Sequence, residues 1–137
     1  MNKINMYSPN QVFGGSFLGG PIAATYFLGK NFQVLQNGSS ARTTLILGSL
    51  GTILIFLVVP FLPEKFPNTA IPFAYTFAAY AVASKQQMSK DAIAQSDQHA
   101  FESTWKVAGI AVSFMLLFVA LMMPWFFFLD YIGIIRL

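Results

Sequence analysis

Between Thr43 and Leu62 the chain runs for 20 residues without a charged side chain, and most of those residues are Leu, Ile, Val, Phe or Gly. No feature constrains the fold more. About 20 apolar residues rising 1.5 Å each match the roughly 30 Å hydrocarbon core of a bilayer. Three further stretches resemble it: Val12 to Leu28 carries no charge, Thr69 to Ser84 is short and rich in alanine, and Trp105 to Leu129 holds Lys106 as its only charge. Charged residues make up 9% of the 137 residues, against about 25% in soluble domains, too few to furnish a globule with a polar skin. The 16% aromatic content excludes a disordered chain. The expected class is all-α: an integral membrane four-helix bundle in one domain, 1–137, with spans of about 9–30, 42–62, 69–86 and 104–129 and a polar loop over 85–104.

Start signals support these spans. Ser8-Pro9-Asn10-Gln11 has the form of a capping box, with proline at the first helical position. Ser39 or Ser40, after the Asn37-Gly38 turn, can cap the second helix, Thr69 the third, and Ser103 or Thr104 the fourth. Pro60, Pro63 and Pro67 make the second connection stiff and non-helical in part. A secretory signal is not expected, because Gly14, Gly15, Gly19, Gly20 and Pro21 interrupt the first apolar stretch and no cleavage site follows.

The first helix is the most unusual. Gly15 and Gly19 form GxxxG, and Ser16 with Gly20 repeats the spacing one residue later; small residues let helices approach closely in lipid. They predict either a partner-binding face or packing within the monomer. Pro21 cannot donate to the carbonyl of Phe17, so Gly19-Gly20-Pro21 predicts a kink or short break at mid-membrane. Thr44, Gly48 and Thr52 give the second helix a similar small face, Ala70, Ala74 and Ala78 the third, and Gly109 and Ser113 the fourth. On the last helix, Trp105 and Trp125 lie about 30 Å apart and predict anchors at the two interfaces, with Lys106 snorkelling beside Trp105.

Chemistry-bearing residues are sparse. There is no cysteine, and His99 is the only histidine. No cofactor or metal site is expected, nor enzymatic activity. His99 and Glu102, with Asp91 and Asp97 nearby, imitate an acid–base group, but in a solvated loop that reads as a polar linker. Ionisable residues fall at span ends, which disfavours a proton-coupled transporter. The eight basic residues stand singly between apolar runs, a pattern of membrane orientation and not of nucleic-acid binding. Lys30, Arg42, Lys85, Lys90 and Lys106 on the first and third loops outnumber Lys3, Lys65 and Arg136, so both termini are expected on the periplasmic side.

Tyr7-Ser8-Pro9-x-Gln11-Val12, then Ser16-Phe17-Leu18-Gly19-Gly20-Pro21-Ile22-Ala23 and Asn31-Phe32, resembles a pattern in small bacterial multi-pass inner-membrane proteins of uncharacterised function. The proline-bounded second span and Trp105-Lys106-Val107-Ala108-Gly109-Ile110 are similar too. The resemblance implies a bacterial inner-membrane location and no catalytic residues. Two functions remain open from the sequence. One is intramembrane binding of a protein partner or a second copy, as an accessory subunit or an immunity-type protein, with the glycine face of helix one as the docking surface. The other is a small transporter or oligomeric channel whose path is lined by the Pro21 kink, Thr44, Ser49 and Thr52.

Overall fold

The computed structural model describes residues 2–137 and is mostly helical. Among the described residues six helices form, α1 (Pro9–Gly19), α2 (Pro21–Val34), α3 (Gly38–Val58), α4 (Ala70–Gln86), α5 (Lys90–Gln95) and α6 (Thr104–Tyr131), with two short strands, β1 (Ile4–Met6) and β2 (His99–Phe101). α3, continued by a 3-10 turn to Phe61, and α6 are long and apolar enough to cross a membrane. At 17 residues, α4 is at the short limit for a span.

The expected single kinked helix over 9–30 is replaced by a helical hairpin. α1 has 11 residues and α2 has 14, about 16 and 21 Å of axis. Neither reaches across a bilayer, and α2 runs back along α1. A Cβ placed on Gly15 would strike the Phe27 ring, one on Gly19 would strike Ala23, and the Tyr7 and Phe27 rings meet edge to face at 4.8 Å. Gly20 makes the reversal. Its φ of 89° with ψ of −173° is open to glycine and closed to other L residues. Its N–H still closes α1 on the Ser16 carbonyl, and its own carbonyl opens α2 by accepting from Ala24. Proline at the first position of α2 donates nothing and so cannot carry α1 onward. The interruption falls at Gly19-Gly20-Pro21 as expected, but it is a full reversal and not a kink or short break.

The hairpin organises the rest. α3 descends beside α2, with Gly29 against Leu45 and Gly48 against Thr25. α4 returns beside α1, setting Phe73 at a tilt against Phe17 and Phe77 edge to face with Phe13. α6 descends again along α1, with Ala111 at Gly19 and Phe118 near Gly20. The core of buried apolar side chains lies on the hairpin: Val12, Ala23, Phe27 and Leu28 pack with Ala79 and Ala83 of α4 and Val107 of α6.

One end, here the base, holds the start of α1, the end of α2, and both strands. β1 and β2 pair in parallel, Ile4 with His99 and Met6 with Phe101. The stretch from Lys85 to Thr104, expected to be a polar loop, is thus partly ordered by α5 and this pairing. The capping box on α1 forms as expected: Gln11 N–H donates to Ser8 Oγ at 3.2 Å, and Ser8 N–H donates to Gln11 Oε1 at 2.9 Å. α3 is capped two or three residues earlier than expected, by Asn37, whose Oδ1 accepts from Ser40 N–H at 3.1 Å. The far end holds the hairpin-facing linker 59–69 and the last turns of α6.

Candidate functional site

Three places in the molecule stand out: an opening at the hairpin tip, a groove between α3 and α4, and a buried polar node at the base. The first is the hairpin tip. Phe17, Leu18, Gly19, Gly20 and Pro21 line one wall of a cavity of about 490 Å³. The other walls come from the end of α3 (Ile55, Val59), the linker (Glu64, Phe66, Asn68), the start of α4 (Ile71, Tyr75) and the middle of α6 (Met115, Phe118, Phe126). The chain turns here before helical bonding can continue, so the carbonyls of Phe17, Leu18 and Gly19 have no main-chain partner among the described residues.

A second opening of about 450 Å³ runs between α3 and α4, with α2 as its floor. Thr44, Gly48, Gly51 and Thr52 face it from α3, and Ala78, Ala79 and Val82 from α4. Thr52 donates its hydroxyl to the Gly48 carbonyl at 2.7 Å, so that donor is used within α3. A Cβ on Gly51 would meet nothing. Pro21, Ile55 and Tyr75 belong to both openings, which therefore adjoin at the hairpin tip.

The third place is the node at the base. Asn31 is 1% exposed and pairs with both main-chain groups of Tyr7: its Oδ1 accepts from Tyr7 N–H at 2.8 Å, and its Nδ2 donates to the Tyr7 carbonyl at 2.7 Å. The same Nδ2 donates to Gln87 Oε1 at 2.9 Å, and Gln87 Nε2 donates to the Leu28 carbonyl at 2.9 Å. Gln11 Nε2 donates to the Glu102 carbonyl, tying α1 to the segment before α6. These bonds close the open end of the hairpin. Burial pushes the Tyr7 phenol well above its ordinary value, with Tyr26 and then Glu102 adding to the shift. Asn31, which the sequence marks only within the resembling pattern, and Gln87, which it marks only as part of a polar stretch, meet here because α2 turns back along α1.

The residues singled out from the sequence divide among these places. Gly15, Ser16 and Gly19 are buried inside the hairpin or against α6, so the glycine face expected as a docking surface is already occupied by Phe27, Ala23 and Ala111. Gly20 and Pro21 form the tip. Ser16 Oγ and, on α4, Thr76 Oγ1 are buried without a hydrogen-bond partner. Gly48 is used against Thr25, while Thr44 and Thr52 border the groove.

The supposed interface anchors behave differently from one another. Trp105 is 88% exposed at the first turn of α6. Lys106 reaches back to Glu102, Nζ to Oε2 at 3.3 Å. Trp125 is turned inward against Phe56 of α3. The acid–histidine group does not assemble: His99 lies on β2 with its ring near Ser96, Glu102 is engaged by Lys106, and no set of three metal-ligating side chains occurs among the described residues. Compared with known protein families, with curated proteins and with solved structures, the chain gives no match.

Proposed function

We propose that the chain is a non-enzymatic, multi-pass protein of the bacterial inner membrane that acts by binding another membrane protein within the bilayer, as an accessory subunit or an immunity-type protein. In this reading α3, α4 and α6 are full spans and the α1–α2 hairpin enters halfway from the base and returns. The charge distribution supports an orientation different from the sequence expectation. With the hairpin returning, Lys3 joins Lys30, Arg42, Lys85, Lys90 and Lys106 at the base, and only Lys65 and Arg136 remain at the far end. Asp91, Asp97 and Glu102 share the base, Glu64 and Asp130 the far end, so the whole net charge of +3 resides at the base. The positive-inside rule then makes the base cytoplasmic, with the N-terminal strand inside and the residues after α6 outside.

The observation that carries the docking reading is α3. None of its most apolar stretch is buried inside the molecule, and it leans on α2 while standing off α4. The intervening groove is bordered by Thr44, Gly48, Gly51 and Thr52, small side chains of the kind that admit a second helix. A Gly15→Leu/Gly19→Leu change would wreck the hairpin and so cannot test docking. The test is a Thr44→Leu/Gly51→Leu double variant in a mild-detergent pull-down from native membranes. Loss of co-purifying membrane partners, with the fold intact, is expected; an unchanged partner set sinks the docking reading.

A small transporter or oligomeric channel is the second reading. It is favoured by the hairpin tip, because irregular backbone at membrane depth is tolerated where it lines a cavity, and broken helices line substrate sites in transporters.

A further inference from the structure

We propose that the cavity beneath the hairpin tip is a binding site for a hydrophobic organic cation, of the quaternary ammonium or phosphonium class. Its volume of about 490 Å³ falls within the roughly 300–1,000 Å³ of small-molecule sites. The chemistry of its lining selects the charge. Aromatic side chains come from four elements: Phe17 from α1, Phe66 from the linker, Tyr75 from α4, and Phe118 and Phe126 from α6. Ring faces carry the negative part of the aromatic quadrupole and attract weakly hydrated cations. Glu64, itself exposed, is the only charged residue in the lining, and no lysine or arginine is present. The reversal at Gly20 and the missing N–H of Pro21 leave the main-chain oxygens of Phe17, Leu18 and Gly19, all residues of the lining, without main-chain partners.

Other ligand classes fit worse. An anion would find no cationic side chain. A small inorganic cation needs converging hard oxygen ligands, and one carboxylate in an apolar chamber does not supply them. An uncharged hydrocarbon would satisfy the rings and leave the carboxylate unmatched. A cation whose charge is wrapped in apolar groups answers both. Its apolar body occupies the space among Ile55, Met115 and Phe118, and its charge is stabilised by ring faces and the carboxylate together. This inference shares the membrane placement of the proposed function and is independent of any protein partner.

The test uses two ions of the same shape and opposite charge. Purified full-length protein in mild detergent is dialysed to equilibrium against radiolabelled tetraphenylphosphonium or tetraphenylborate, with protein-free micelles as the baseline. Saturable binding of the phosphonium alone, near one per chain, is expected. Glu64→Gln should weaken it about threefold, the scale of a partly exposed ion pair. Phe118→Leu should weaken it about fivefold, the scale of a lost cation–aromatic contact. Melting temperature reports whether each variant still folds, and Glu64, being exposed, can be changed without disturbing the core. Equal uptake of the two ions, uptake no greater than in empty micelles, or unchanged affinity in both folded variants would overturn the proposal. None of these readouts involves a partner, so failure here leaves the docking reading standing, and the reverse holds as well.

Discussion

The indole N–H of Trp125 donates at 3.0 Å to the main-chain oxygen of Phe56, a carbonyl whose ordinary helical partner would be the N–H that Pro60 lacks. The two rings also stack, with centroids 5.7 Å apart. α6 thus repairs a backbone defect in α3 while holding the two helices together at the far end. Trp125→Phe keeps the stacking and removes the donor, and should cost about 1 kcal/mol, read as a lower melting temperature in detergent. Trp105→Phe, at an exposed position, should leave it unchanged.

Gly20→Ala should destabilise the fold by about 1–3 kcal/mol, because a φ of 89° is closed to alanine and the reversal depends on it. Gly51→Ala, where the added methyl meets open space inside a helix, should be neutral or mildly stabilising. Thermal unfolding of the two variants separates a conformational requirement for glycine from a general preference for small residues.

Asn31→Asp keeps an acceptor for Tyr7 N–H and removes both donors, leaving the Tyr7 carbonyl and Gln87 Oε1 facing a carboxylate. A loss of about 3 kcal/mol is expected near neutral pH. Protonating the new carboxyl restores one donor, so part of the loss should return on acidification. A melting temperature that does not depend on pH in the acid range would refute this account of the node.

The Tyr7 phenol titrates above its ordinary value in the folded chain, chiefly because it is buried. A raised folded value means that the neutral form is favoured by folding. The associated stability is fully present below about pH 10, where an unfolded tyrosine ionises, and is lost as pH rises beyond it. Alkaline melting curves should show this loss, and Tyr7→Phe should flatten it.

The absence of cysteine makes topology directly testable. Single changes Asn5→Cys, Ser39→Cys, Ser96→Cys and Ile134→Cys can be probed with an impermeant maleimide on intact cells. In the proposed placement positions 5, 39 and 96 lie on one side, protected, and position 134 on the other, labelled. Opposite behaviour of positions 5 and 39 would mean that the first segment crosses the bilayer.

Much of this architecture was legible because it rests on local chemistry. The cap at Ser8 and Gln11, the interruption at Gly20-Pro21, and the apolar lengths of α3 and α6 each depend on residues a few positions apart. The hairpin was not, because Gly20-Pro21 allows either a bend or a full reversal, and the choice is made by contacts distant in sequence: Phe27 filling the space above Gly15, and Asn31 gripping Tyr7. The short strands were hidden for the same reason, since Ile4–Met6 has no register until His99–Phe101 lies beside it. Small residues mark close approach at Gly15, Gly19 and Gly48 but not at Gly109, and they carry no address. Those of helix one are consumed inside the chain, while Gly51 stands open. The cavity was illegible because its walls come from five separate segments.

A hairpin that stops halfway makes the molecule thicker at one end. In the proposed placement five helical rods displace lipid in the cytoplasmic leaflet and three in the opposite one. Such a wedge exerts lateral pressure unequally and is accommodated with least strain where the cytoplasmic leaflet is expanded, so membrane curvature itself becomes a variable to which this small protein responds.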